Sequence, residues 1–428
     1  MLQNIKKSVL HISIPILVVA ACFSVASIAA MVFDNRYIPL IQYPYISVPD
    51  RDSHVTGDFF ITTASEAADD RDRSIGVPEL SGPFDQAQMA YSFVLAGLPD
   101  PLPVGLTEAE LPWIMRGKLQ TQGFAFSWQQ EIVPHLSFGI WTLAMRSNSY
   151  IDFFFNRPFN TSLTDESVLT LDDVRRQMFA DLGLACNHVR QGGMGDTELY
   201  LRWADYYDYC LKVRSLQYAI RLGMLIPTGV KRDVFKPASI PFGGNGHWGI
   251  YGSFDTEVEL KEDWKVGLLL RGSKRFAHTS DQRMPVLHPL AAVGETNISE
   301  PDIFGVVLGE AKVDPGFTQV FCLYGQWEGI REGLGIRAQY TLINHWKDNW
   351  TDERVNKTVP VNLPQIEERS KWASEYITLS AFYDFDKTST EHCARPIVRA
   401  AWDIPFTLLV GHRFVHSYKV SVGLEFNF

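Results

Sequence analysis

Beyond residue 33 the chain has no apolar run long enough to cross a bilayer as a helix, so any later membrane passage falls to strands. Cysteine pairing is equally thin. Cys186, Cys210, Cys322 and Cys393 are scattered singly, without metal-ligand spacing, and Cys22 sits in the N-terminal apolar run. Free thiols are the plain reading; an oxidised pair stays open for an exported chain, with no choice of partners. Catalytic signatures are missing: there is no HExxH, no GxSxG and no phosphate-binding loop. The acidic stretch 66–73 lacks calcium-ligand spacing, so no metal and no cofactor are expected. Positive charge is in deficit, with 39 Lys and Arg against 49 Asp and Glu, which argues against nucleic acid as a partner. Mean hydropathy is near zero at -0.06, as alternating strands give by averaging.

What is present is alternation. From Tyr418 onward, Tyr418, Val420, Val422, Leu424, Phe426 and Phe428 occupy one parity, and Lys419, Ser421, Gly423, Glu425 and Asn427 the other. Successive strand side chains point to opposite faces, so this segment has one greasy face and one wet face. Such a strand, ending on an aromatic residue, has the pattern of the closing strand of an outer-membrane barrel. Phe426 and Phe428 then mark the assembly signal at the membrane interface.

The same parity recurs upstream. In 248–260, Trp248, Ile250, Phe254, Val258 and Leu260 share one face, and Tyr251, Ser253, Asp255, Glu257 and Glu259 share the other. Segments 123–128, 198–203, 216–224, 334–342 and 374–385 read alike, and in 136–146 the phase slips near Trp141, suggesting a bulge there. The count comes to about twelve strands (range 10–14), centred near 60, 122, 142, 199, 218, 254, 269, 322, 338, 379, 399 and 422. Short gaps follow the second, fourth, sixth and eighth strands and a moderate one the tenth. Long gaps follow the odd ones, at about 66–112, 156–193, 227–243, 278–315 and 346–371. Short periplasmic turns facing long external loops are the habit of an all-β, transmembrane, antiparallel up-and-down barrel.

Lys6 and Lys7 precede an apolar run from Val9 to about Ala30, which ends in small residues. Residues 1–29 therefore read as a signal peptide, 30–53 as an extended arm and 54–428 as the barrel. A retained membrane helix, or a lipoprotein box ending at Cys22, are the other readings of the same run. One loop carries a helix signal: Thr170 as cap, Asp172 and Asp173 in the first turn, and Leu171, Val174, Met178 and Leu182 on one stripe. Its place is the external mouth, as a lid or packed on the rim.

If the large apolar residues face lipid, then Glu198, Arg202, Arg221, Asp255, Glu257, Glu259, Lys265, Arg271, Arg337, Lys419 and Glu425 face the lumen. These are the pore candidates, with two readings: a mixed-sign constriction that selects solutes, or charges that pair across and fill a narrow barrel. The segment 261–263 predicts a hairpin of 248–260 with 264–276. If Leu260 faces Trp264, Glu259 meets Lys265, Val258 meets Val266, Thr256 meets Leu268, Phe254 meets Leu270 and Ser253 meets Arg271.

The block Gly193-Met194-Gly195-Asp196-Thr197-Glu198-Leu199, followed by Pro227-Thr228-Gly229, resembles the G-x-G-D-x-x-L block and the strand ending in P-T-G of an outer-membrane family linked to meta-pathway phenol degradation. That family belongs to the FadL-like channel superfamily. The resemblance is specific over about 190–275, and a FadL-type N-terminal hatch sequence is not found in 30–60. It implies passive uptake of small hydrophobic or aromatic compounds, without enzymatic activity. The partners expected are outer-membrane lipid, the barrel assembly machinery and a small hydrophobic solute. The rivals are a structural or adhesive barrel with a closed lumen, and a barrel enzyme built around His416 and Ser417.

Overall fold

The computed structural model describes residues 35–38, 53–71, 73–103, 110–156, 164–184, 187–209, 213–261, 263–288, 300–385 and 395–427. The expected signal peptide, most of the arm, Phe428 and Cys186, Cys210 and Cys393 lie outside them. Cys322 is buried and free.

Twelve antiparallel strands close on themselves. In chain order they are β1 (His54–Ala64), β2 (Pro112–Val133), β3 (Leu136–Phe155), β4 (Thr197–Asp208), β5 (Ser215–Ile226), β6 (Gly249–Lys261), β7 (Trp264–Arg275), β8 (Phe317–Arg331), β9 (Leu334–His345), β10 (Trp372–Asp384), β11 (Arg395–Phe406) and β12 (Tyr418–Asn427). Each pairs with its sequence neighbour, and β12 returns to β1 with His54 opposite Asn427 and Thr63 opposite Tyr418. Closure leaves no unpaired edge in the wall, the condition for a sheet to sit in hydrocarbon.

One parity of the wall is apolar and exposed: Phe59, Ile61, Leu222, Ile250, Leu270 and Val422 are among its residues. The other parity is buried, and along β12 the two alternate without interruption. Near the short-turn end, Trp264 stacks on Trp327 at 5.7 Å, and Tyr207 stacks on Tyr218 at 6.0 Å, as an interfacial girdle does. The turns at this end use left-handed residues, His135 at φ 70°, Asp263 at φ 69° and Gly333 at φ 80°. No helix among the described residues is long and apolar enough to cross a membrane. The molecule is a bacterial outer-membrane β-barrel.

The β6–β7 hairpin has the expected register from Gly249 opposite Arg275 to Glu259 opposite Lys265. At the turn it departs: Lys261, not Leu260, faces Trp264. Asp263 in the left-handed region closes a tighter turn, and Leu260 becomes the odd residue out. The bulge expected near Trp141 is absent from the β2–β3 ladder, which runs in register from Trp113 to Glu131. The break lies across from it. β3 pairs with β4 up to Trp141 opposite Glu198, then with the strand His188–Met194 from Ala144 onward, leaving Gly195-Asp196 as the irregularity. The phase slip has a separate cause. Trp141, Leu143 and Met145 point inward onto an apolar cluster with Ile38, Leu119 and Phe242, while the opposite parity carries Thr142, Ala144 and Arg146, so the apolar side of β3 changes from the outer to the inner face at that height.

β2 and β3 have 22 and 20 residues, against 10 to 15 in the other barrel strands. Residues 112–118 of β2 run past its last pairing with β1 at Leu119, about 23 Å of strand at roughly 3.3 Å per residue. There Arg116 and Asp152 are exposed on the outer side beside Tyr150 and Phe154, while Trp113, Met115 and Ile151 stay buried on the inner side.

The long loops pack against that inner side. Helix α1 (Gln86–Leu95) is capped by Asp85, which accepts the amides of Ala87 and Gln88. Helix α2 (Asp165–Asp181) starts earlier than the sequence indicates: Thr164 caps it, and the Thr170 hydroxyl donates back to the Glu166 carbonyl. The expected stripe holds, with Leu171 and Met178 buried and Val174 and Leu182 against them. Helix α3 (Leu363–Ser370) and a three-stranded sheet of His278–Met284, Val307–Asp314 and Asn349–Asp352 complete the layer. Phe84, Phe153, Phe179 and Phe304 meet in its core, the last two stacked at 4.7 Å. Each such ring removed from water is worth about 1.5–3 kcal/mol.

Candidate functional site: the barrel interior and its outer mouth

Glu198, Arg202, Arg271, Arg337, Lys419 and Glu425 are buried within the barrel, and Arg221, Asp255, Glu257, Glu259 and Lys265 are partly so. All lie on the parity opposite the exposed apolar face. The structure brings them together in tiers. In the outer tier, Arg271 of β7 donates to both carboxylate oxygens of Glu198 of β4, at 2.7 and 3.2 Å. Two strands separate β4 from β7, so the pair spans a chord of the barrel. In the middle tier Arg202 lies 3.8 Å from Asp255, again skipping a strand. In the inner tier Lys265 lies 3.7 Å from Glu257 and 3.2 Å from Glu328. On the opposite wall Lys419 meets Asp403 at 2.5 Å, and Arg399 meets Asp58 at 2.7 Å. Glu259 is held at the rim by Arg214 and Ser215. Phe426 is on the exposed face, opposite Val55.

Three inward tyrosines carry three of the arginines. Arg271 stands 3.7 Å from the Tyr251 ring centre, Arg337 4.6 Å from Tyr324 and Arg221 5.1 Å from Tyr200. Each tyrosine lies over a cross-strand glycine: Tyr200 opposite Gly139, Tyr251 opposite Gly223 and Tyr324 opposite Gly267. A Cβ at any of these glycines would fall within 2.1–2.5 Å of a ring atom. The ring thus lies along the wall, and its face is presented to the cation. Tyr324 also donates to Glu257 at 2.7 Å, and Arg337 to the side-chain carbonyl of Gln326 at 2.9 Å.

The two sequence blocks that carried the family resemblance meet in space. Asp196, fully buried, accepts the amides of Gly229 at 3.1 Å and Gly244 at 2.6 Å and pairs with Arg275 at 2.8 Å. Thr228 donates to the Gly195 carbonyl at 3.0 Å. Sequence reasoning missed Asp196 and Arg275; the signal was a lone acid after a run of glycines at the strand break. It also missed Asp58, Arg399 and Asp403, whose parity would have placed them inward.

Above the wall lies a cavity of about 230 Å³, bounded by strand ends at Arg275, His345 and Trp372 and by loop residues that include Arg232, Ile303 and Arg369. Asn35–Ile38 contributes Arg36 and Tyr37 to it. Asn35 donates to the Pro241 carbonyl at 2.8 Å, and Arg36 to that of Arg369 at 2.8 Å. Burial opposes ionisation of the Tyr37 phenol, yet Arg36 and Arg232 outweigh it and bring its pKa below the usual value. Glu300, buried near the cavity-lining Asp302, accepts the amides of Val286 and Val306, and desolvation pushes its pKa up to about 8.

The acidic stretch 66–73 spends its charge locally, Asp69 on Arg73 and Asp70 on Arg413. Ser417 is buried and bonded to the Tyr376 hydroxyl at 2.8 Å, and the His416 ring packs on Phe414.

No family model matches the chain, and no curated protein matches it. Among solved structures it is similar to an outer-membrane channel of Pseudomonas putida F1, at 10% identity over 91% of this chain and 100% of that one, with a TM-score of 0.47. It is similar to a FadL homologue of Pseudomonas aeruginosa at 11% identity, covering 88% and 90%, with a TM-score of 0.31. It is also similar to the Pseudomonas putida toluene transporter TodX at 9% identity, covering 88% and 89%, with a TM-score of 0.27.

Proposed function

We propose that the protein is an outer-membrane channel for passive uptake of small hydrophobic or aromatic compounds, closed at rest. The observation that carries this reading is the cavity at the outer mouth. It combines Tyr37, Trp350, Trp372 and Ile303 with polar groups, and it sits directly above an interior lined by charged side chains. A concave site that joins apolar surface to convergent polar groups is where small molecules lodge. The sequence resemblance to channels of the phenol meta-pathway points the same way.

The lumen residues have two jobs in this reading. Their pairing closes the resting path, and their exchange of partners opens it. Arg221 and Arg337 are the side chains proposed to set the solute's route, because each rests on the face of an inward tyrosine. The test is solute-specific liposome swelling with toluene-sized and phenol-like solutes, beside planar-bilayer conductance. Swelling that changes in Arg221→Glu or Arg337→Glu, with the barrel still heat-modifiable on gels, supports the channel.

A second reading has an observation of its own. Glu198, Arg202 and Arg271 are buried, so the interior at that height is filled at rest, as a structural or adhesive barrel requires. Absence of both swelling and conductance across a broad solute panel favours that rival. An enzyme at His416 and Ser417 is disfavoured by the Ser417 hydroxyl, which is engaged by Tyr376.

A further inference from the structure

The cavity at the mouth has a charge balance unlike that of the lumen. Below it, the guanidinium of Arg271 and the ammonium of Lys419 each face a carboxylate within 2.7 Å. In the cavity, three guanidiniums gather about one acid. Arg369 donates to Asp302 at 2.9 Å, and Arg36 and Arg232 face the same carboxylate. Arg36 gives one N–H to the Arg369 carbonyl and another to the Tyr37 hydroxyl at 3.4 Å. Arg232 lines the cavity, and its guanidinium has no hydrogen bond or ion pair among the described residues; only its backbone amide is engaged, by Asn245 at 2.8 Å. Asp348, the other acid near Arg36, accepts from the Gly316 amide at 2.7 Å and lies 2.9 Å from His345. The lining also holds Arg275, paired with Asp196, Arg283, bonded to three carbonyls, and Asp233, paired with Lys236. Five guanidiniums against three acids leave an excess of positive charge around the cavity.

Removing a guanidinium from bulk water without a partner is costly, and the cost is recovered when an anion enters. The planar fork of arginine suits the two oxygens of a carboxylate. Among the other polar groups of the lining, Ile303, Ile366, Trp350 and Trp372 present apolar surface. A small inorganic ion would leave that surface unused. A neutral hydrocarbon would leave Arg232 unsatisfied.

We infer that this cavity is a binding site for a small organic carboxylate with an apolar body, held by Arg232, Arg36 and the Tyr37 hydroxyl and packed against Trp350 and Trp372. The same two arginines hold the Tyr37 phenol below its ordinary pKa against the effect of burial. The inference deepens the channel reading by naming the class of solute that pauses at the mouth, and it rests on that reading only for the passage that follows.

The test is isothermal titration of the full chain in detergent with benzoate, benzyl alcohol, acetate and inorganic phosphate. Benzoate binding at least tenfold more tightly than the other three is expected. In Arg232→Gln its affinity falls at least tenfold, and Arg232→Lys recovers most of it. Equal affinity for benzoate and benzyl alcohol, an unchanged Arg232→Gln, or phosphate binding as well as benzoate each overturn the inference. The first comparison needs no variant, so it decides even if Arg232→Gln fails to assemble. Benzoate binding without conductance or swelling keeps the site and removes the channel; swelling by neutral aromatics without benzoate binding does the reverse.

Discussion

Arg271 and Glu198 meet in a two-pronged ion pair, 2.7 and 3.2 Å, from strands that are not neighbours in the wall. Both side chains are almost fully buried, 3% and 1% exposed. A pair so placed is a tie across the barrel, and its worth appears when one end is cut. Removing one partner of a buried pair costs about 3–5 kcal/mol, because the other charge is left uncompensated. Arg271→Gln and Glu198→Gln should each lower the unfolding midpoint of the purified barrel, followed by loss of heat-modifiable migration. The double variant should recover much of the loss. A double variant as unstable as the sum of the singles shows that the two residues act separately.

The lipid face fixes the β6–β7 register. Val266 lies opposite Val258, and Lys265 opposite Glu259. Val266→Lys puts a cation among lipid tails, at a cost of roughly 2–4 kcal/mol near the midplane and less toward the interface. It should reduce assembled barrel in outer membranes, whereas Lys265→Gln should assemble normally. Equal yields of the two variants contradict the assignment of faces.

Gly267→Ala tests the bed on which Tyr324 lies. The added methyl falls within 2.1 Å of the ring, so Tyr324 has to leave the wall, releasing Glu257 and the cation over its face. Overpacking of this kind costs about 1–3 kcal/mol. The expected readouts are a lower unfolding midpoint and, if the channel reading holds, altered conductance. Gly325→Ala on the neighbouring strand, where no atom lies within 4 Å, should leave both unchanged.

Glu300 makes the outer layer sensitive to pH. Its folded pKa, about 8, lies above the ordinary carboxylate value of 4.5 because burial disfavours the charge. The folded layer therefore holds a proton that the unfolded segment has lost, and stability falls as pH rises between these values. The protection factors of the Met284, Val286 and Val306 amides, after division by the base-catalysed exchange rate of a free peptide, should be higher at pH 5 than at pH 8.5. In Glu300→Gln the difference should largely vanish; if it persists, another group is responsible.

Phe428 is proposed to signal assembly together with Phe426, which faces outward beside β1. Phe428→Ser should reduce assembled barrel far more than an alteration within 278–315. Equal yields of the two argue against a terminal signal.

Strand number, order and facing were legible in the sequence because lipid enforces a period of two without exception. All twelve expected centres fall within the observed strands. The pattern failed where its physical cause fails. In the upper part of β3, Trp141, Leu143 and Met145 are buried against an apolar interior, and the apolar parity lies on the inner side instead of the outer. The start of α2 was misplaced because Thr164 and Thr170 are both fit to cap, and only packing decides between them. The sequence offered the charged interior as a set, but not which acid meets which base. Arg271 finds Glu198 through barrel closure, a relation between residues 73 apart that no local spacing records.

The long β2–β3 hairpin has a kinetic consequence. Its two strands are joined by Pro134 and His135 alone, so the ladder zips with short loop closures, the fast class of folding event. The outer layer draws α1, α2 and its sheet from segments far apart in the chain, all packing toward the hairpin's inner side. Those long-range contacts gain a surface to condense on only once the hairpin stands. The hairpin is thus a nucleus for the cap, and a substitution such as Met115→Ala should slow ordering of the cap while leaving closure of the barrel below it unhindered.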